Sequence, residues 1–200
     1  MSTDSEIIAR SIEDPGAFSE IFERHARAIA SFAARRVGDA GDDVLSETFL
    51  VAFRRRAAFD TSWESSLPWL LGIASRLVRK QRAAEARQWR SLNAVAGWEQ
   101  HVQFGEAEAA GERVDAAVEA RALGGRIAAL SAADRETLLL YAWADLTYEE
   151  IAVALRIPVG TVRSRLNRVR RKLDPARGKR GVTGPEQEKG DRDGRVAARA

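Results

Sequence analysis

Between Thr161 and Lys172 the chain sets Arg163, Arg165, Arg168, Arg170, Arg171 and Lys172 around Val162, Leu166, Val169 and Leu173. No acidic residue interrupts the run before Asp174. The apolar positions repeat at helical spacing, so the pattern predicts a helix with one buried stripe and a cationic remainder. Such side chains suit phosphate oxygens and the acceptor edges of bases, which makes the chemistry recognition of a polyanion. Thr161, Arg163, Ser164, Arg165, Asn167 and Arg168 are the candidate duplex-contacting residues. Arg163, Ser164, Asn167 and Arg168 come early on the exposed arc, within reach of base edges, and Arg170, Arg171 and Lys172 are placed for phosphates.

A basic amphipathic helix alone is often just a solvated face, and the preceding residues argue against that here. Thr147 followed by Glu150 is a capping box, which opens a helix by satisfying its first backbone N–H groups. Ile151, Ala154 and Leu155 continue it, and Pro158 disfavours helical geometry at Ile157. The turn falls at Arg156 to Gly160. Two short helices about a tight turn, the second basic, form a helix-turn-helix, whose recognition helix enters the major groove.

A second basic cluster runs from Arg76 to Arg90. Arg76, Arg79, Lys80 and Arg82 can track phosphates there, and Trp63 or Trp69 offers a surface on which bases stack, a combination suited to single strands. The net charge of the chain is only +3, so the clustering of cations, more than their sum, points to nucleic acid.

Composition narrows the alternatives. There is no cysteine, which excludes disulfides, thiolate catalysis and thiolate zinc sites, and His25 and His101 are isolated and read as structural or surface residues. There is no phosphate-cradling glycine loop. Asp42 and Asp43 are adjacent, so on a helix they diverge by about 100° and make no carboxylate pair. No enzyme and no cofactor is expected. The absence of a long apolar run or signal-like N-terminus predicts no membrane insertion and a cytoplasmic location.

The elements that must position these residues are helical throughout. Phe18, Ile21, Phe22, His25, Ile29, Phe32 and Val37 recur at helical spacing after Asp14-Pro15-Gly16, and Gly38 to Asp42 breaks that helix. A second begins near Asp42 or Asp43 and carries Leu45, Thr48, Phe49, Ala52 and Phe53. Residues Asp60 to Ser66 form a polar connector, and Pro68 opens a third helix with Leu67, Leu70, Leu71, Ala74, Leu77 and Val78 apolar. Ser91 to Glu112 reads as a linker, helices resume over Val114 to Leu130 and from the N-cap Ser131 to about Ala144, and Ala176 to Ala200 reads as a disordered tail. The expected architecture is all-α, with two small helical domains over 1–90 and 113–175, a flexible linker over 91–112 and a tail over 176–200.

Three motifs in this order resemble the extracytoplasmic-function (ECF) group of bacterial sigma factors, within the sigma-70 family, over about Phe18 to Asp174. Asp42-Asp-Val-Leu-Ser-Glu-Thr-Phe-Leu-Val-Ala-Phe53 is similar to region 2.2. The resemblance implies that Asp43, Val44, Glu47, Thr48, Phe49 and Ala52 dock on the clamp of the polymerase largest subunit. Leu67 to Arg82 looks like regions 2.3 and 2.4, which implies that Trp63, Trp69, Arg76, Arg79, Lys80 and Arg82 open and read the minus-ten element. Ser75-Arg76 stands where many relatives carry Arg-Asn. Ile157 to Arg168 resembles region 4.2, which reads the minus-35 element; Arg156 replaces a frequent glycine before its turn.

The implied partners are core RNA polymerase, through its clamp and flap, promoter DNA, and an anti-sigma factor. The implied work is promoter-specific initiation with strand separation and no covalent catalysis. The rival reading is a stand-alone regulator that binds duplex DNA as a dimer through the same helix-turn-helix. Such a regulator has no use for the second basic and aromatic cluster, or for the acidic and aromatic helix at Asp42 to Phe53.

Overall fold

The computed structural model describes residues 2–96 and 122–173, and every regular element among them is helical. The helices are α1 (Asp4–Glu13), α2 (Ser19–Val37), α3 (Gly41–Arg54), α4 (Leu67–Ala96), α5 (Ala132–Trp143), α6 (Tyr148–Leu155) and α7 (Val159–Leu173), with a further helical stretch over 122–128. None of them is long and apolar enough to cross a membrane. Helix α4 continues to Ala96, into the stretch expected to be linker; the rest of that stretch, His101 and the tail lie outside the described residues.

Helices α2, α3 and α4 pack on one another, and α5, α6 and α7 form a second group. Gly38, at φ +54°, ends α2, a left-handed geometry that glycine adopts without steric cost. The core of the first group is Ile21, Ile29, Phe32, Val44, Phe49, Ala52, Leu70, Leu71, Ala74 and Val78. The apolar cluster does not stop there. Leu140, Leu146, Ile151, Ala154, Val162 and Leu166 of the second group belong to the same buried cluster, and α6 lies directly on α4.

The sequence reading starts its first helix near Phe18 and so overlooks α1. Its signal is plain in the residues: Thr3 and Glu6 form a capping box, Thr3 accepting from the Glu6 N–H while Glu6 accepts from the Thr3 N–H, and Ile7 and Ile8 supply the buried face. The helix is anchored by Asp4, which is 4% exposed. Its Oδ2 accepts from the backbone N–H and the hydroxyl of Ser66, both at 2.8 Å, and from His25 Nε2 at 2.5 Å, while Arg24 donates to Oδ1 at 3.0 Å. The Asp4 N–H in turn donates to the Glu64 carbonyl, and the Ser5 hydroxyl donates to that of Trp63. Three elements, α1, α2 and the 60–66 connector, are thereby tied at one carboxylate. His25 is a structural residue.

Burial works against ionisation of Asp4, but the hydrogen bonds from His25 and Ser66 outweigh it and hold the carboxyl well below the usual carboxylate range. A depressed folded-state value means that the contribution to stability is complete above the unfolded pKa and is lost as pH falls through the folded one. Asp4→Ala should lower stability at neutral pH by about 2–4 kcal/mol, the cost of stranding buried donors. Thermal melts from pH 7 to pH 2 should show the difference from wild type narrowing only in strong acid.

Candidate nucleic-acid and protein interfaces

The helix-turn-helix is built as its residues require. Thr147 and Glu150 close the capping box of α6, with Glu150 accepting from the Thr147 N–H at 2.8 Å and Thr147 accepting from the Glu150 N–H at 3.2 Å. The corner is Arg156 in the left-handed region at φ 55°, ψ 51°, a geometry that costs a side-chain-bearing residue about 1 kcal/mol. Helix α7 then starts at Val159, slightly earlier than Thr161, and buries Val162, Leu166 and Val169 against α5 and α6.

Of the α7 candidates, Arg163, Ser164, Asn167 and Arg168 are exposed, while Thr161 and Arg165 are half-buried. The free face is narrower than that set. Arg168 donates to Asp134 at 2.8 Å, and Asp134, only 1% exposed, is held in the first turn of α5 by the Ser131 cap. Lys172 lies 4.0 Å from the same carboxylate. Arg168 therefore clamps α7 to α5. Arg170 donates to the Tyr148 hydroxyl and to Asn167 Oδ1, which orients it along the helix. Arg163, Ser164 and Asn167 remain on the exposed arc of α7, Asn167 accepting from Arg170.

The second basic cluster divides in the same way. Arg79 and Lys80 project from α4 exposed, and Arg76 is half-buried, its ionisation disfavoured by burial first and then by the nearby Arg156, Arg55 and Arg79. Arg82 donates to the Arg36 carbonyl that ends α2. Burial is the largest influence on Arg82 as well, and it lowers its pKa together with the charges of Arg36 and Arg135. Trp69 packs its ring 5.2 Å from Phe59, and both Trp63 and Trp69 are half-buried at the edge of the core. Each is therefore partly open to solvent. The connector bearing Trp63 is the segment held by Asp4 and Ser5.

On α3 the expected docking residues separate into surface and support. Asp43 and Glu47 are exposed; Val44, Thr48, Phe49 and Ala52 are buried, with the Thr48 hydroxyl donating back to the Val44 carbonyl at 2.6 Å. The exposed apolar residues of this face are Leu50 and, across the groove on α2, Phe22, whose ring meets Phe49 edge-on at 4.8 Å. Periodicity alone marked Phe49 as facing a partner or the core. What it missed is Leu50 and Phe22, large apolar side chains that burial of their neighbours leaves uncovered beside two carboxylates.

Comparison with known proteins agrees with this layout. Residues 21–88 match the family model for Sigma-70 region 2, and residues 120–173 that for Sigma-70 region 4. The chain is 30% identical over 187 residues to the RNA polymerase sigma factor NccH of Alcaligenes xylosoxydans xylosoxydans, covering 86% of this chain and 93% of NccH. It is 26% identical over 184 residues to the ECF RNA polymerase sigma factor SigK of Mycobacterium tuberculosis, with the same two coverages. Its fold is similar to that of the sigma factor RpoE solved in complex with the anti-sigma factor NepR from Bartonella quintana. That similarity has a TM-score of 0.55 at 20% identity over 82% of this chain and 98% of that one.

Arg163→Ala should weaken binding to a preferred duplex by ~10-fold or more without moving the melting temperature, since Arg163 has no bonded partner among the described residues. Arg168→Ala should instead lower the melting temperature, because it strands the buried Asp134 carboxylate. Paired thermal melts and duplex titrations separate the two roles; equal losses of stability would contradict the division.

Proposed function

This chain belongs to the sigma-70 family, in its extracytoplasmic-function group, and from that membership we propose how its two helical groups divide the work of promoter recognition. As a sigma factor it directs promoter-specific transcription by RNA polymerase, and it is a transcription initiation factor rather than a classical enzyme. The α5–α7 group reads the minus-35 duplex through Arg163, Ser164 and Asn167, with Arg170 and Arg171 on phosphates. The α1–α4 group engages the minus-ten strand through Arg79 and Lys80, with Arg76 and Arg82 joining them and the partly exposed Trp63 and Trp69 receiving unstacked bases. The observation that supports this reading is the presence, on one chain, of an exposed basic helix after a tight turn and a separate basic arc beside aromatic residues.

Core polymerase docks on the face of Asp43, Glu47, Leu50 and Phe22. Val44, Thr48, Phe49 and Ala52 support that face from beneath, so their effect on binding is through its shape. An apolar centre rimmed by charge is the arrangement that concentrates binding energy in few residues. Binding to core supplies the free energy for strand separation, and no step forms a covalent bond. A protein of the anti-sigma kind, such as the one bound to RpoE of Bartonella quintana, is the expected negative regulator, and the cytoplasm, where polymerase works, is the expected location.

The test is run-off transcription with bacterial core polymerase on sheared genomic DNA, followed by mapping of transcript 5′ ends. Discrete starts preceded by paired upstream elements are expected only when the chain is added. Duplex binding without initiation would favour a stand-alone regulator. Glu47→Arg with Leu50→Ala should reduce co-purification of core by ~10-fold or more while the melting temperature holds, because both side chains are exposed.

A further inference from the structure

Helix α1 carries none of the residues assigned to DNA or to core polymerase, yet its first turn grips the connector that bears Trp63. The Ser5 hydroxyl donates to the Trp63 carbonyl, and the Asp4 N–H donates to the Glu64 carbonyl at 3.0 Å. Asp4 Oδ2 accepts from the N–H and the hydroxyl of Ser66, both at 2.8 Å. Two consecutive residues of one helix thus hold Trp63, Glu64 and Ser66 of a polar connector.

The start of that connector closes on itself. Asp60 accepts from the Ser62 N–H at its Oδ1, at 3.0 Å, and from the Trp63 N–H at its carbonyl, at 3.2 Å. Aspartate favours such a turn, because its side chain bonds the backbone two residues on. Both backbone polar groups of Trp63 are therefore engaged, the N–H by Asp60 and the carbonyl by Ser5. With its backbone fixed, the direction of its Cα–Cβ bond is fixed too, and only staggered side-chain torsions stay open. The indole is half-buried against the core, and its sequence neighbours Ser62 and Glu64 are exposed.

Helix α1 is itself held from behind. Ile7 and Ile8 are buried, Arg56 donates to the Ser11 carbonyl, and Arg24 and His25 of α2 hold the Asp4 carboxylate. The position of Trp63 is thereby tied through α1 to α2. A loop that must be ordered at the moment of binding lowers affinity by the entropy it loses, and a loop already ordered avoids that loss.

We propose that α1 is a brace for single-strand capture, in which Asp4 and Ser5 are positioning residues that hold Trp63 where an extruded minus-ten base stacks on it. This rests on the reading of Trp63 as a stacking surface for the minus-ten strand. The brace acts through Trp63, so its loss is felt in strand capture and leaves binding of the minus-35 duplex unchanged.

The experiment uses the full chain bound to core polymerase. The probe is a labelled fork-junction DNA, made from a promoter located by 5′-end mapping, with a single-stranded non-template minus-ten segment. One non-template base at a time is replaced by an abasic residue. Wild type should show a position where base removal costs affinity and where Trp63→Ala makes that cost disappear, which identifies the stacked base. Ser5→Ala should weaken binding of the intact fork about fivefold, the worth of one hydrogen bond, and change binding of that abasic fork little. Its melting temperature should hold, since alanine is the better helix former and the Thr3 and Glu6 capping box is untouched. Ser5→Thr, which keeps the hydroxyl, should restore binding. Asp4→Asn, read well below its own melting temperature, should show the same selective loss. Added to Trp63→Ala, Ser5→Ala should have no further effect.

Equal losses on intact and abasic forks, or a Ser5→Ala effect that adds to Trp63→Ala, would overturn the brace while leaving Trp63 as the stacking surface. If no abasic position distinguishes Trp63→Ala from wild type, the stacking role of Trp63 fails first and the brace falls with it.

Discussion

Helix α4 is buried from more than one side, and that constraint shapes the rest of the chain. Leu70, Leu71, Ala74 and Val78 complete the core with α2 and α3, while Gly72 admits the backbone of α6 on another arc. From Leu67 to Val78 no residue of α4 is exposed, and its open part begins at Arg79 and Lys80. The helix that completes the core is thus also the one that carries minus-ten candidates. Even the connector before it is not free, since Asp4 holds Ser66 and so fixes where Trp63 and Trp69 emerge.

The distribution of charge follows from the same packing. A net charge of +3 hides many cations, and a good number are engaged inside the protein: Arg24 on Asp4, Arg36 on Glu136, Arg56 on the Ser11 and Phe53 carbonyls, Arg82 on the Arg36 carbonyl and Arg168 on Asp134. Each of these fixes one helix against another. The cations left without an acid among the described residues, above all Arg163 on α7 and Arg79 and Lys80 on α4, form the two basic surfaces proposed to meet phosphate and bases. Division of basic residues into buried fasteners and exposed cations lets a small helical chain be ordered while it keeps concentrated positive surface.

Much of this was legible in the residues. The Thr147–Glu150 box, Pro158 and the Val162, Leu166, Val169 stripe define the helix-turn-helix, and Gly38 and Pro68 mark where helices end and begin. Helix α1 is signalled by Thr3 and Glu6, but the apolar repeat that follows it is stronger and masks it. Long-range partners were not legible. Nothing local ties Arg168 to Asp134 or Arg36 to Glu136, which lie 34 and 100 residues apart, and a glycine inside an apolar helix gives no sign of which backbone it admits. The docking face shows the same limit. Helical spacing placed Leu45, Thr48, Phe49, Ala52 and Phe53 on one side of α3 but could not say whether that side met a partner or the core; Thr48, Phe49 and Ala52 are buried.

The central claim, that this chain directs promoter-specific transcription by RNA polymerase, is tested most directly by run-off transcription with purified bacterial core polymerase, with and without the chain. Discrete starts that appear only when the chain is added are the expected result. No initiation from any template in its presence would contradict that claim.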